Sequence, residues 1–291
     1  MMQLIVNISI LFSITTLVGI ACFLRYSTTK FFDLSQASTI SLAAYFTYAF
    51  NIGLRLPLLI AIMMGILCST AIAIGAELIV YRHMRRKEFP PFASLIASLG
   101  LYTVVQNSIS LFFGDDAKTL RSADVEVGHM IAGAYITNSQ IATLVVSLTT
   151  FLAVLLILQR STLGKRIRAI SDNRQLSDIY GINSSSLILV AIGMAALLAG
   201  IAGILISLDV DMSPTFGFNY YLGGVIAMII SGAGNYRGLI IGSALLTTAQ
   251  HLAAFFMDTK WMAAVAFFIL ILFLIWRPRG VGGQRLKKVE V

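Results

Sequence analysis

Long apolar runs separated by short polar connections recur along the whole chain, and their lengths predict what it is. A helix rises 1.5 Å per residue, so about 20 apolar residues cross the hydrocarbon core of a bilayer. Runs of this kind are read at 5–24, 34–50, 57–80, 91–113, 140–158, 187–208, 220–230, 239–256 and 261–276. The seventh is short and flanked by glycine, which fits a re-entrant segment as well as a crossing one. The pattern predicts an all-α integral membrane protein, a polytopic helical bundle of about 8–9 transmembrane segments. No connection is long enough to fold separately, so residues 1–291 are expected to form a single transmembrane domain.

One stretch breaks the pattern. RSTLGKRIRAISDNRQLSDIYGIN, residues 160–183, gathers Arg160, Lys165, Arg166, Arg168, Asp172, Arg174 and Asp178 in one polar segment. Leu163, Ile167 and Ile170 are spaced i, i+4, i+7 and share a helix face, while Lys165, Arg168 and Asp172 fall on another. This predicts a short amphipathic helix. Asp172-Asn173 weakens it, Leu176, Ile179 and Tyr180 form a second small apolar face, Gly181 is the expected stop, and Asn183 or Ser184 caps the next span. Two coverings satisfy the periodicity: lipid headgroups beneath a positive loop, or a groove on a partner protein. Burial of three aliphatic side chains, at roughly 1.5–3 kcal/mol each, suits either.

Composition agrees with a membrane setting. The chain is 58% hydrophobic and 12% charged, with mean hydropathy +0.87, too apolar for a surface facing water. Charge then orients it, because Lys and Arg gather on the cytoplasmic side. Arg82, Arg85, Arg86 and Lys87 follow the third run, residues 160–183 the fifth, and Arg277, Arg279, Arg285, Lys287 and Lys288 the last. The connection between the fourth and fifth runs instead carries Asp115, Asp116, Asp124 and Glu126 against Lys118 and Arg121, and the one after the sixth carries Asp209 and Asp211. Arg25 and Lys30 then belong inside, which puts the N-terminus outside if the first and seventh runs both cross. A net charge of +8 follows from these loops, each basic side chain being worth about 1 kcal/mol at an anionic lipid surface. No nucleic-acid partner is needed to explain it. The first run has no Lys or Arg ahead of it and no small-residue cleavage pattern after it, so it is read as a span rather than a removed signal peptide.

An energy source is missing from the sequence. There is no G-x-x-x-x-G-K-[ST] phosphate loop; the nearest fragment, Gly164-Lys165-Arg166, lacks the earlier glycine and the hydroxyl residue that would hold Mg²⁺. Neither H-E-x-x-H nor G-x-S-x-G occurs, and His83, His129 and His251 stand apart in the chain. Cys22 and Cys68 lie in apolar runs without metal or disulfide spacing. No catalytic residue, metal site or bound cofactor is predicted. Ion-coupled carriers place carboxylates or histidine near the bilayer midplane, whereas these runs are almost free of charge. Glu77 is the exception, and it is expected to pair with a nearby arginine or with the interface rather than to carry ions. The chain reads as a pathway driven by another protein, with an independent channel or ion-coupled carrier as the alternative.

Two polar interruptions mark where a solute would pass. Gly234, Gly238 and Gly242 recur every four residues, a smooth face for close helix packing, yet Ser231-Gly232-Ala233-Gly234-Asn235 also reads as a break that frees backbone groups. Asp33, Ser35, Gln36 and Ser38 form a second polar entry into a span. The two breaks are expected to face each other along the substrate pathway. A zwitterionic aliphatic amino acid suits polar ends and apolar walls, and so do other small neutral solutes such as urea.

The run from Arg160 through Leu163, Gly164, Lys165, Arg166, Ile167 and Arg168 to Ala169, followed by Tyr180-Gly181-Ile182-Asn183, resembles the cytoplasmic loop of the branched-chain amino-acid ABC permeases, the LivH/LivM family. Glu77-x-x-x-Tyr81-Arg82-x-x-Arg85, Pro214-x-x-Gly217, Gly232-x-Gly234-x-x-x-Gly238 and Arg277-Pro278-x-Gly280 match in the same order, so the resemblance covers most of the chain. Three departures stand out. Asp33-Leu34-Ser35-Gln36-Ala37 replaces the usual Asn-Phe-Ala-His-Gly, Ser231-Gly232-Ala233-Gly234 replaces Gly-Gly-x-Gly, and His83 replaces a proline. Asp33-Leu34-Ser35 is also similar to the ribose-type sugar permeases, which keeps a sugar, like urea, as an alternative cargo. The resemblance implies an ABC importer permease fold and a subunit, not an enzyme, that moves a branched-chain or other amino acid into the cytoplasm. It implies a second homologous permease, two ATPase subunits that carry the ATP, a periplasmic or lipid-anchored solute-binding protein, and a place in the bacterial cytoplasmic (inner) membrane. By the same resemblance residues 160–183 meet the ATPase, through Leu163, Gly164, Lys165, Arg166, Ile167, Arg168 and Ile170. Asp209, Asp211 and the 115–126 loop are candidates for docking the binding protein.

Overall fold

A computed structural model describes residues 2–120, 128–131, 133–232, 235, 236, 238–277 and 280–282. Each of the nine apolar runs is helical. Seven helices are long and apolar enough to cross a membrane among the described residues: α1 (Met2–Thr29), α3 (Leu58–Ala76, continued through a π turn at Glu77–Tyr81 into α4, Arg82–Arg86), α5 (Pro91–Phe113), α6 (Asn138–Arg160), α9 (Ser184–Asp209), α11 (Leu239–Phe256) and α12 (Met262–Trp276, entered by a 3₁₀ turn). The second run forms α2 (Ser35–Tyr48) and a π turn at Ala49–Gly53. The seventh forms α10 (Phe216–Ser231), 16 residues long, or about 24 Å at 1.5 Å per residue, against a hydrocarbon core of about 30 Å. That shortness explains why its pattern alone did not separate crossing from re-entrant.

Side-chain size decides which helices meet. Lipid tails are as apolar as leucine, so helices in a membrane are held by close packing and interhelical hydrogen bonds rather than by exclusion of water. The helix α2 carries Ser, Ala and Thr where α12 carries Phe, Leu and Ile, and α2 is buried from Ser35 to Tyr45 while only Ala266 is buried in α12. At Gly203 of α9 a Cβ would strike the Ile40 backbone carbonyl, and at Gly217 of α10 it would strike that of Ala37. The backbones of α2, α9 and α10 therefore touch. The central helix α1, buried almost continuously from Ile10 to Thr28, packs on α6, α9, α10 and α11. Outward faces are greasy: Ile79, Leu111, Phe112 and Trp276 are exposed, as lipid or a neighbouring subunit requires.

A feature absent from the sequence pattern is a β-hairpin, β1 (His129–Ile131) against β2 (Ala134–Ile136), with His129 opposite Ile136. Gln3 of α1 grips it, donating to the Tyr135 carbonyl at 3.2 Å and accepting from the Tyr135 N–H at 3.0 Å. Arg121, Asp124 and Glu126 lie outside the described residues.

Candidate functional site

The polar stretch folds as two helices, α7 (Thr162–Asp172) and α8 (Arg174–Ile179), joined at Asn173. Local capping explains every boundary. Ser161 Oγ accepts from Gly164 N at 2.9 Å, Asn173 Oδ1 from Leu176 N at 3.0 Å, and Asn183 Oδ1 from Ser186 N at 3.1 Å. Gly181, at φ +78°, ends α8 in the left-handed region that glycine enters without strain. The helices, the break and the stop follow the sequence reading.

The covering of the two apolar faces does not. Ile167 and Ile170 are 1% and 2% exposed, and Leu163 packs with Ile167 onto the main core of this same chain. The face assigned to a partner's groove is occupied by the bundle itself, which corrects the assignment of Leu163, Ile167 and Ile170 as contact residues. Gly164 belongs to that inward seam, since a Cβ there would strike the Ile157 and Leu158 carbonyls at the end of α6. Lys165 and Arg166 remain exposed. Arg168 bends back, donating to the Leu158 carbonyl and, at 3.4 Å, to the Tyr236 hydroxyl. What projects is α8: Leu176, Ile179 and Tyr180 are 49%, 80% and 77% exposed.

Two residues outside the polar stretch fix its position. Lys30, at φ +62° just past α1, donates from Nζ to the Ser171 carbonyl at 2.5 Å, meeting the negative end of α7. Burial pulls the Lys30 ammonium below its ordinary pKa, with Asp172 pushing it back up. At the next junction Asp178 accepts from Ser184 Oγ at 2.5 Å and from Ser184 N at 3.2 Å, and the Ser184 hydroxyl holds its carboxyl below the usual range.

The polar entry into α2 turns out to be a buried charge cluster. Asp33 is ion-paired with Arg25 of α1. Its Oδ1 also accepts from Ser35 Oγ at 2.5 Å, Ser35 N at 2.9 Å and the Tyr81 hydroxyl at 2.8 Å. The guanidinium lies 5.8 Å from the centre of the Tyr81 ring, and its Nε and Nη1 have no hydrogen-bond partner among the described residues. Arg25, Asp33 and Tyr81 are each at most 2% exposed. Beside them Glu77 is ion-paired with Arg85, as the sequence suggested. Sequence reasoning counted Arg25 among inside-loop charges and missed both it and Tyr81. The available signal was a single arginine directly after the first apolar run and still within α1, eight residues before the nearest carboxylate. Gln36 donates to the Ala195 carbonyl at 3.5 Å and Ser38 to the Ser35 carbonyl at 2.6 Å, so the four pathway candidates at this entry, Asp33, Ser35, Gln36 and Ser38, are buried and bonded within this chain.

The second break is real but sealed. Helix α10 stops at Ser231, Gly232 takes φ +96°, and α11 starts at Leu239. The carbonyls released there are capped by the chain's own tail: Val281 N donates to Ile230 O at 2.9 Å and Gly282 N to Ser231 O at 3.2 Å. Asn235 Nδ2 donates to the Gly282 carbonyl at 3.3 Å, and Ser231 Oγ to Met228 O at 2.7 Å. Gly234 lies outside the described residues. The expected four-residue glycine stripe is corrected: Gly238 is the residue before α11, and Gly242 alone sits within it, packed on Ala227 and Ser231. Ser231 and Gly232 make no hydrogen bond to Asp33, Ser35, Gln36 or Ser38.

Comparison with known proteins places this architecture. Residues 4–275 match the family model described as branched-chain amino acid transport system, permease component. The chain is 27% identical over 236 residues to the high-affinity branched-chain amino acid transport system permease protein BraD of Pseudomonas aeruginosa, covering 79% of this chain and 76% of that one. It is 27% identical over 225 residues to the corresponding LivH of Escherichia coli K12, covering 76% and 72%. Among solved structures, PsaBC from Streptococcus pneumoniae in complex with Fab superposes with a TM-score of 0.50 at 15% identity, covering 94% of this chain and 91% of that one. That likeness concerns the fold.

Proposed function

The chain belongs to the family of branched-chain amino acid transport permease components, and on that footing we propose that its cargo is a branched-chain or similar aliphatic amino acid. It is a multi-pass membrane subunit of an ABC importer and not an enzyme. In the proposed assembly two permeases, this chain and a homologue, sit in a bacterial inner membrane with two ATPases on the cytoplasmic side and a solute-binding protein outside. The relatives named for branched-chain amino acid transport support the cargo. ATP is bound by the partners, since the sequence holds no phosphate loop.

The observation that carries the coupling role is the projecting patch of Leu176, Ile179 and Tyr180 on α8, with Lys165 and Arg166 exposed on the preceding α7. Exposed aliphatic and aromatic side chains flanked by cations fit an acidic-rimmed groove, and the ATPase is the partner an importer must place there. The buried face of α7 then carries the movement inward, through Ile167 to the core and through Lys30 to α1. Asp33 and Ser35 act by holding α2 against α1, so solute meets them only if those helices part.

Reconstitution tests this directly. Vesicles holding the chain, its homologue, the ATPase and the binding protein should take up labelled leucine against its gradient when ATP is present. The isolated chain should accumulate none. Accumulation by the chain alone would mean an ion-coupled carrier, and uptake of galactose or urea in place of leucine would overturn the cargo.

A further inference from the structure

The break between α10 and α11 is held from two sides by residues distant in sequence. On one side lies the chain that leaves α12, where Gly280 N donates to the Arg277 carbonyl at 2.8 Å and turns Val281 and Gly282 along the end of α10. A helix end leaves carbonyls without partners inside the helix, and two of these, Ile230 O and Ser231 O, are answered by Val281 N and Gly282 N. Gly280 and Gly232 meet backbone to backbone. Both have positive φ, +70° and +96°, and a Cβ at Gly280 would strike Gly232 N, Gly232 Cα and Ile230 O. The Val281 side chain packs on Ile226, Ala227, Ile230, Leu246 and Ala266, which joins α10, α11 and α12 through one residue.

On the other side the break meets α7. Tyr236 is 7% exposed; its ring lies 5.6 Å from that of Phe23 on α1, and its hydroxyl accepts from Arg168 Nη1 at 3.4 Å. Arg168 is bonded as well to the Leu158 carbonyl where α6 ends, so a shift of α7 against α6 also shifts the bond to Tyr236. One residue earlier, Asn235 Nδ2 donates to the Gly282 carbonyl at 3.3 Å. The two holds thus meet at adjacent residues, Asn235 tied to residues 280–282 and Tyr236 tied to α7. The ties to residues 280–282 are three hydrogen bonds and one valine, and none of them belongs to a helix ladder. They can part while the helices stay whole. The carbonyls so released need water in place of the lost N–H groups, because a buried carbonyl without a partner is costly, so parting and wetting of the break occur together.

We infer that residues 280–282 form a clasp that keeps the α10–α11 break shut at rest, and that Arg168 and Tyr236 are the positioning residues through which movement of α7 releases it. The clasp rests on the geometry of the chain alone. Its release rests on the importer reading, in which the ATPase moves α7 and α8.

The test reads amide exchange at Val281 and Gly282, first in the full chain in nanodiscs and then in the complete complex with its homologue, ATPase and binding protein. In the resting chain both amides should exchange slowly, and Gly280→Ala should speed them roughly tenfold or more. In the complex, ATP should speed the same amides severalfold. Tyr236→Phe, which removes only the hydroxyl, should abolish that response and leave the resting protection as it was. Gly280→Ala should also lower the leucine taken up per ATP hydrolysed severalfold, with hydrolysis itself retained, because a break that does not stay shut lets solute return. Asn235→Ala, which removes the donor to the Gly282 carbonyl, provides a second variant if Gly280→Ala does not fold, and should move exchange and uptake in the same direction by a smaller amount. Fast exchange at both amides in the resting chain, no change on adding ATP, or an unchanged ratio of uptake to hydrolysis in the folded variant would overturn the clasp. A wild-type complex that hydrolyses ATP without taking up leucine, galactose or urea would instead count against the importer reading, and the resting exchange with its response to Gly280→Ala would still decide the clasp.

Discussion

The neighbouring helices α7 and α8 are both short and amphipathic, with aliphatic residues at helical spacing, yet one is seated and the other is bare. Ile167 is 1% exposed and Ile179 is 80% exposed. The difference lies in what is nearby. Gly164 lets α7 lie directly on the end of α6, Arg168 ties it to the Leu158 carbonyl, and Lys30 holds its last turn. Beyond the Asn173 break, the bonds that tie α8 to the bundle among the described residues are its junction bonds to α9. Periodicity identifies a face; it does not identify the surface that covers it.

The charge cluster beneath these helices offers the strongest way to break the arrangement. Replacing a buried ion pair by apolar residues is often nearly neutral, whereas removing one partner strands the other. Arg25→Met should therefore cost about 3–5 kcal/mol in unfolding measurements, and adding Asp33→Leu should recover much of it. Equal losses in the single and double variants would show that the pair does not hold α1 to α2. Next in size, Ile167→Asp should cost about 3 kcal/mol or more, from lost burial and an unpaired carboxylate. The matching change on the other helix, Ile179→Asp, should stay within about 0.5 kcal/mol in stability while abolishing co-purification of the ATPase. If Ile179→Asp leaves the ATPase bound and Lys165 and Arg166 substitutions release it, the apolar patch is not the contact.

Two smaller effects sharpen the same contrast. Lys30→Met removes one charge-assisted bond at an exposed position and should cost about 1 kcal/mol or less, read by faster hydrogen exchange in the last turn of α7. Asp178, whose carboxyl is held below the usual range, contributes stability that is complete above the ordinary carboxylate pKa and lost as pH falls through its lowered folded value. Amide exchange at Ser184 should accelerate only in that acidic window, and Asp178→Asn should remove the pH dependence. A transition near neutral pH would contradict it.

Much was legible because it is local. All nine helical segments, the Asn173 and Ser231 interruptions and the Gly181 stop depend on residues within a few positions of one another, through apolar length, caps and glycine. The Glu77–Arg85 pair was also readable, being eight residues apart. The Arg25–Asp33–Tyr81 cluster was not, because Tyr81 reaches Asp33 from 48 residues away and a lone arginine near the end of a run looks like any inside-loop charge. The tail that closes the α10 break was equally invisible, since Asn235 and Gly282 are 47 residues apart.

The sequence by itself determined that the chain is a membrane bundle of helices with a charged amphipathic segment between α6 and α9, because apolar length and helical period are properties of contiguous residues. Only the tertiary structure decided which side of that segment is glue and which is free, and which buried charges are paired. Those are contacts between distant residues, such as Lys30 and Ser171, 141 positions apart, and they exist only once the small-residue faces of α1, α2, α9 and α10 have drawn the backbones together.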